Sequence, residues 1–357
     1  MIAVTELIGE IDETLERMGI GRFDPATVTT RVGRNQTWTG YTVDGLPIFV
    51  KRLIGSVWDV AARLFRTLSF ESFRAASLDG RLRTPRLLGF DSRDGLIVYE
   101  LISGVRSGAE LMKTGGFTKE LAVASGRCLG SLHDLGVSDN TPIDRSPMAQ
   151  PSASMLEGIQ LEVYEESSAA SLEAWSLMQS DTELIAAVRR LRNWEANAPF
   201  VAAHCDLRVD QLLAQGEGVW LTDWEEFRIA DGARDVGAFA GECLHRAVLD
   251  LHRTPNDIGS TRYELPHAVV LRRGVENLER TTPIVEAFWK SYCEVRAGVD
   301  REFAKRATAF AGWHLFDRMM AGATMSVRLS GISRASAGIG RAVLTSPDEF
   351  TEVIGLG

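Results

Sequence analysis

The sequence feature that most constrains the fold is a short hairpin with an acidic residue at each end. Two apolar segments, 211–214 and 219–222, are joined by the turn-forming residues 215–218, which include two glycines. Asp206 precedes the first segment and Asp223 follows the second. A hairpin returns the chain to its starting point, so we expect the two carboxylates to lie close together. One could orient a hydroxyl while the other holds Mg²⁺, two tasks that phosphoryl transfer requires. Two acids that merely cap turns are the alternative.

The composition is that of a folded protein longer than an average domain. Of the 357 residues, 45% are hydrophobic and 24% are charged, which excludes global disorder. The net charge of −9 argues against nucleic acid as a partner, because such a partner needs a basic surface. The four cysteines lack zinc-site spacing, so we expect buried thiols. No apolar run approaches the roughly 18 residues of a membrane span, and no secretory signal pattern is present. We therefore expect a cytoplasmic protein with no membrane partner.

The first hundred residues predict a small β-rich lobe behind an amphipathic N-terminal helix. Alternating apolar residues and the turn Asp44-Gly45 indicate a β-meander. The predicted strands are 27–30, 41–43, 47–53, 84–91 and 95–100. Between the third and fourth of these strands, the spacing of apolar residues predicts a helix over 58–78. Most of the remaining chain is predicted to be helical, with its clearest helix over 118–134.

The predicted loop 31–40 carries residues suited to phosphate. Gly33 can let the backbone approach an anion, while Arg34, Asn35 and Thr37 offer charge or side-chain donors. An ordinary polar hairpin loop remains the alternative for this stretch alone.

The acidic hairpin resembles a known kinase motif. His204-Cys205-Asp206 followed by Gln211, and later Asp223-Trp224, resemble the His-Gly-Asp-x-x-x-x-Asn and Ile-Asp-Trp/Phe motifs of the aminoglycoside phosphotransferase and choline kinase superfamily. The resemblance implies an α+β, bilobal protein-kinase-like fold, with an N-lobe over 1–102 and a helical C-lobe over 103–357. It implies that Asp206 is the catalytic base, and that Asp223, with Gln211 in place of the usual Asn, binds Mg²⁺.

The same resemblance assigns roles around a bound ATP. Lys51, on the third strand, would bind the α- and β-phosphates, and Glu71 could pair with it or be an ordinary surface carboxylate. The segment beginning at Glu100 and including Ile102 would contact adenine as the hinge. Structural support is expected from Asp235, through hydrogen bonds to the catalytic loop, and from His204.

Longer stretches resemble the kinase subunits of class V lanthipeptide synthetases, in which Gln at position 211 is usual. They are Val32-Gly33-Arg34-Asn35 with Trp38-x-Gly40, and the ranges 49–53, 206–211, 221–228, 235–242 and 337–341. This resemblance implies phosphorylation of Ser or Thr in a ribosomally made precursor peptide, with a separate lyase subunit that eliminates the phosphate. A small-molecule kinase for an antibiotic or a choline-like alcohol, and a pseudokinase scaffold that binds the lyase, remain alternatives.

Overall fold

Five antiparallel strands and two helices form the N-terminal lobe in this computed structural model, which describes residues 4–76, 82–138, 140–252 and 266–357. The sheet order is β1-β2-β3-β5-β4. In chain order the elements are α1 (Val4–Arg17), β1 (Thr29–Val32), β2 (Gln36–Tyr41), β3 (Pro47–Arg52), α2 (Val57–Ala76), β4 (Leu87–Asp91) and β5 (Leu96–Glu100). The last two residues of the helix predicted over 58–78 lie outside the described residues.

Side chains alternate across β3 and so divide the sheet into two faces. Ile48 and Val50 are fully buried in the cluster that includes Ile11 of α1. Phe49 and Lys51 point to the opposite face, where they line the cleft between the lobes. Alternation alone therefore carries the lysine into the cleft.

The first hairpin is tighter than the sequence predicts. The predicted loop 31–40 is mostly strand, because β1 and β2 pair from Thr29↔Thr39 to Val32↔Gln36 and leave residues 33–35 as the connection. Both strands contain two threonines each, and β-branched residues favour this extended pairing. The prediction of a strand over 41–43 therefore placed β2 too late in the chain.

Ten helices and five short strands make up the second lobe within the described residues. The helices are α3 (Gly108–Thr114), α4 (Lys119–Asp134), α5 (Leu161–Glu166), α6 (Ala169–Gln179), α7 (Thr182–Ala196), α8 (Ala233–Leu249), α9 (His267–Val295), α10 (Phe303–Ala323), α11 (Gly331–Thr345) and α12 (Pro347–Phe350). The strands are β6 (Arg106–Ser107), β7 (Phe200–Ala203), β8 (Leu212–Gln215), β9 (Gly218–Leu221) and β10 (Arg228–Asp231).

The core of this lobe is a close packing of α4, α8, α9 and α10. Phe239 of α8 stacks on Phe288 of α9 with ring centroids 3.9 Å apart. Gly237 allows α8 to approach α10, since a Cβ there would lie 2.4 Å from the carbonyl oxygen of Ala307. These contacts fix α8, whose N-terminus supports the loop that carries Asp206, described below. The architecture is the predicted α+β, bilobal, protein-kinase-like one.

None of the helices within the described residues combines the length and the apolar content needed to traverse a bilayer.

Candidate functional site

Two short strand pairs place the acidic residues of the hairpin at one edge of the helical lobe. β7 pairs with β10 and ends at Ala203, directly before the loop that carries Asp206. β8 pairs with β9 from Leu212↔Leu221, so Asp223 emerges beside the start of β8. Burial in the cleft raises the pKa of Asp206 against the opposing effect of Arg208, and the charge of Asp223 adds to the rise. The sequence prediction that the hairpin brings the two carboxylates together is confirmed.

Asp235 at the start of α8 holds the catalytic loop. Its fully buried carboxylate accepts the backbone N–H groups of His204 and Cys205, each at 2.7 Å, and contacts Nε2 of His133 at 3.1 Å. Burial by itself would raise the pKa of Asp235, but these donors bring it below its usual value. Cys205 needs such support because its φ of 66° lies in the left-handed region, which costs a non-glycine residue about 1–2 kcal/mol.

The imidazole of His204 joins the two acidic loops. Its Nε2 lies 2.9 Å from the carbonyl oxygen of Thr222, the residue before Asp223. Because a carbonyl can only accept, Nε2 must carry the proton, which leaves Nδ1 to accept the N–H of Asp206 at 3.4 Å. His204 therefore links the residue before Asp223 to the backbone of Asp206.

Lys51 crosses the cleft to meet acids of the helical lobe. Its Nζ lies 2.7 Å from Oδ1 of Asp223 and also contacts the carboxylate of Glu225. Burial would lower the pKa of Lys51, but the two carboxylates more than offset this and raise it. Burial acts on Asp223 in the opposite sense, and Lys51 brings its pKa below the usual value. The lysine is therefore a charged group that joins the two lobes.

The predicted pairing of Lys51 with Glu71 is wrong. Glu71 lies 2.9 Å from Arg74 on its own helix, whereas Glu225 contacts Lys51 and accepts from Nε of Arg63 at 2.7 Å. The physical reason is the rotation of α2 about its axis, which turns the fully buried Arg63 toward the acidic loop. Glu225 lies two residues beyond Asp223, within the range 221–228, and its spacing in the sequence does not indicate this contact.

Asn35 takes a different position from the phosphate donor that the sequence predicts. Its Nδ2 donates to Oε1 of Glu225 at 3.0 Å. Its Oδ1 accepts from the N–H of Ile54 at 3.2 Å and from Arg63 at 2.5 Å. Because both ends of the amide are engaged, Asn35 ties the first hairpin to the acidic loop.

The other residues of this hairpin are also described. Thr37 lines the cleft, and its hydroxyl donates to the carbonyl of Arg31 at 3.3 Å. Arg34 is largely exposed and lies 3.5 Å from Asp59, while the N–H of Gly33 bonds within the turn. Thr37 therefore lies in the cleft wall, whereas Arg34 points toward α2.

A cleft of about 500 Å³ lies between the lobes. Its walls include Lys51, Asp223 and the hinge residues Glu100, Leu101 and Ile102. The amides of Glu100 and Leu101 donate to Arg86 and Pro47, whereas that of Ile102 has no partner among the described residues. An unpaired hinge amide at one end and a lysine at the other fit the base and the phosphates of ATP, and the volume is typical of ligand sites.

The ligands predicted for Mg²⁺ are one carboxylate, Asp223, and one amide, Gln211. No group of three or more His, Cys, Asp or Glu side chains in the described part of the chain could hold a metal ion. The carboxylate of Asp223 fits, since Mg²⁺ in kinases is bound by one or two carboxylates together with substrate phosphates. The side-chain oxygen of Gln211, the other predicted ligand, already accepts the backbone N–H of Arg208 at 3.0 Å.

A polar cluster that the sequence analysis did not predict lies beyond Asp206. Glu242 of α8 contacts Nε2 of His314 on α10 at 2.7 Å, and Arg318 lies 3.9 Å from the same carboxylate. Burial would raise the pKa of Glu242, but the hydrogen bond from His314 lowers it to about 2. The charge of Glu242 also helps to raise the pKa of Arg208, whose Nη1 lies 4.0 Å from Asp206. Only the packing of α8 on α10 brings these residues together, so no spacing in the sequence could have signalled them.

No protein-family model matches the chain, and a search of curated proteins also finds no match. Solved structures do match over nearly its whole length. The amicoumacin kinase hAmiN in complex with AMP-PNP, Ca²⁺ and Ami has a TM-score of 0.55 at 13% identity, covering 97% of this chain and 96% of that one. A choline/ethanolamine kinase family protein from Mesorhizobium loti has a TM-score of 0.53 at 15% identity, covering 97% of this chain and 99% of that one. The streptomycin–ATP–APH(2″)-IIa ternary complex has a TM-score of 0.51 at 12% identity, covering 97% of this chain and 98% of that one. The chain therefore has the bilobal fold of the aminoglycoside phosphotransferase and choline kinase-like proteins.

Proposed function

We propose that the protein is an ATP- and Mg²⁺-dependent phosphotransferase with an alcohol acceptor. The observation that carries the proposal is the ion pair across the cleft, in which Lys51 of the β-lobe lies 2.7 Å from Asp223 of the helical lobe. Asp206 accepts a hydrogen bond at 3.1 Å from Gln211, which lines that cleft, and 42% of its own side chain is exposed. A cation for phosphates, an acid for a metal ion and an accessible base are the side chains that phosphoryl transfer needs.

Each of these side chains has a distinct task in the proposed reaction. Lys51 would neutralise phosphate oxygens, Asp223 would bind Mg²⁺, and the backbone amide of Ile102 would orient the adenine of ATP. Bound ATP supplies the γ-phosphoryl group, and Mg²⁺ offsets part of its negative charge. Asp206 orients the acceptor hydroxyl and takes up its proton, and its raised pKa makes it a better base than an ordinary carboxylate.

For the acceptor, the similar structures favour a small molecule. Their names refer to amicoumacin, choline or ethanolamine, and streptomycin. In this chain Glu242, which pairs with His314 and Arg318, lies near enough for its charge to act on Arg208, next to the proposed base. The cluster offers charges of both signs, as a small polar alcohol would require.

A second candidate acceptor is a Ser or Thr of a ribosomally made precursor peptide. The supporting observation is the set of stretches that resemble class V lanthipeptide synthetase kinases, among them 206–211, 221–228 and 235–242. In this reading a separate lyase subunit is the partner and eliminates the phosphate.

The test is incubation of the full chain with ATP and Mg²⁺ and two acceptor panels, one of aminoglycosides, other antibiotics and choline, and one of precursor peptides. Mass spectrometry should detect a phosphorylated product from one panel, and Asp206→Ala should abolish it while melting close to the wild type. An Asp206→Ala protein that phosphorylates at the wild-type rate would refute the base assignment. A wild-type protein that binds Mg²⁺–ATP but transfers phosphate to neither panel, even with a lyase added, would favour the pseudokinase alternative.

A further inference from the structure

Gln211 makes an unusual pair of side-chain contacts at the end of a short 3₁₀ helix, Val209–Gln211. The side chain is buried. Its Nε2 donates to Oδ2 of Asp206 at 3.1 Å, and its Oε1 accepts the backbone N–H of Arg208 at 3.0 Å. Both ends of the amide are therefore used within the catalytic loop.

The chemistry of these contacts fixes which end of the amide is which. The Arg208 N–H can only donate, and an ionised carboxylate can only accept. Rotating the amide by half a turn would place its NH₂ group against the Arg208 N–H and its oxygen against the Asp206 carboxylate. Both hydrogen bonds would be lost, so the amide is held with its oxygen on the Arg208 N–H.

The backbone of Gln211 holds the second acidic residue. Its carbonyl oxygen accepts both the N–H and the hydroxyl of Thr222, at 3.1 Å and 3.0 Å. Thr222 directly precedes Asp223. One residue thus links the two carboxylates, Asp206 through its side chain and Asp223 through its backbone.

We propose that Gln211 is a positioning residue that sets the orientation of Asp206 relative to Asp223, and that it is not a metal ligand. The described contacts of the Asp206 carboxylate, with Gln211 and Arg208, are made by Oδ2, which leaves Oδ1 to face the acceptor hydroxyl. The orientation of Oδ1 toward an acceptor hydroxyl rests on the proposed phosphotransferase function. The role of Gln211 in holding the loop does not depend on that function.

The length of the side chain is central to this role. Asparagine at the same position would be shorter by one carbon–carbon bond, about 1.5 Å. From the same backbone it could not reach Asp206 and the Arg208 N–H together within hydrogen-bond distance. A metal-ligand role predicts that Gln211→Asn, which restores the residue of the wider superfamily motif, retains activity. The positioning role predicts that it loses activity.

The first test is nucleotide binding, measured by calorimetry with AMP-PNP across a Mg²⁺ series for the wild type, Gln211→Leu and Asp223→Asn. In Gln211→Leu, we expect the gain in AMP-PNP affinity caused by Mg²⁺ to stay within about twofold of the wild-type gain. In Asp223→Asn, we expect this gain to be lost. A tenfold loss of Mg²⁺ dependence in Gln211→Leu, comparable to that in Asp223→Asn, would overturn the proposal.

The second test needs neither nucleotide nor metal. In EDTA, Gln211→Leu and Gln211→Asn should melt about 2–4 °C below the wild type, because two side-chain hydrogen bonds are lost. If both variants melt with the wild type, Gln211 does not hold the loop and the proposal fails. If the wild type binds no AMP-PNP, the proposed function is refuted. The melting comparison would still show whether Gln211 holds the loop.

The third test separates positioning from stability alone. With the acceptor identified above, Gln211→Asn should lower kcat by about 10–100-fold with the KM for ATP unchanged, because a displaced base slows only the chemical step. An unchanged kcat at a temperature where the variant is folded would contradict the positioning role.

Discussion

Glu225 should stabilise the protein far more than Glu71, although the sequence points to Glu71 as the partner of Lys51. The perturbation is Glu225→Gln, which keeps the shape of the side chain and removes its charge. Arg63 is fully buried and contacts this carboxylate, and Lys51, with 11% of its side chain exposed, contacts it as well. The substitution therefore leaves two buried cations with less compensating charge.

The magnitude follows from what remains after the substitution. Breaking a buried ion pair costs about 3–5 kcal/mol. Arg63 keeps Asp59 at 2.9 Å and Lys51 keeps Asp223 at 2.7 Å, so we take a cost just below that range, about 2–3 kcal/mol. For 357 residues, an unfolding entropy of about 2.1 cal/mol/K per residue converts this into a fall in Tm of about 3–4 °C.

The matched control is Glu71→Gln. Burial raises the pKa of Glu71, its Oε1 has no hydrogen-bond partner among the described residues, and its partner Arg74 is 35% exposed. We expect that this substitution changes stability by less than about 1 kcal/mol. Differential scanning fluorimetry of both variants, with and without Mg²⁺–ADP, measures the change in Tm and the stabilisation by nucleotide. If Glu71→Gln lowers both Tm and nucleotide affinity more than Glu225→Gln does, the assignment of the Lys51 partner is wrong.

Two further predictions concern the catalytic loop and the dependence of stability on pH. Cys205→Gly should leave stability within about 1 kcal/mol of the wild type, because relief of the positive φ offsets the loss of the buried thiol, whereas Cys205→Val should unfold several degrees earlier in the same thermal scan. Burial lowers the pKa of His245 to about 4 despite the opposing charge of Glu242. Since the unfolded state with a pKa near 6.5 takes up the proton first, this group reduces stability as pH falls from 6.5 to 4, by about 2 kcal/mol at pH 5. His245→Asn should therefore lose about 3 °C less in Tm than the wild type between pH 7.5 and pH 5, and equal losses in the two proteins would refute the assignment.

The parts of the fold that the sequence predicted depend on neighbours along the chain. The turn at Asp44-Gly45 and the alternation along β3 are local, and together they place Lys51 on the cleft face of the sheet. The acidic hairpin is local as well, since the pairing of β8 with β9 follows from two short apolar segments and a glycine turn. For these elements, residue type and spacing are sufficient.

The contacts that the sequence missed depend on how an element is rotated or how far a side chain reaches. Spacing predicts α2 but not the angle at which it packs, and that angle decides whether Arg63 or Glu71 faces the acidic loop. Likewise, no pattern shows that Asn35 bonds to Glu225, 190 residues away in the chain. Such pairings become visible only when both lobes are in place.

The position of Gln211 shows why a motif can identify a residue and still misassign its chemistry. Sequence comparison treats Gln as Asn with its carbonyl oxygen displaced, which suggests a weaker metal ligand. The added carbon–carbon bond also changes which donors and acceptors the amide can reach, and here it reaches the carboxylate of Asp206 and the N–H of Arg208. A bound Mg²⁺ would have to compete with the Arg208 N–H for this oxygen, whereas Asp223 contacts Lys51 through Oδ1. The order in which a metal ion would recruit its protein ligands therefore follows from the hydrogen bonds that each candidate already makes.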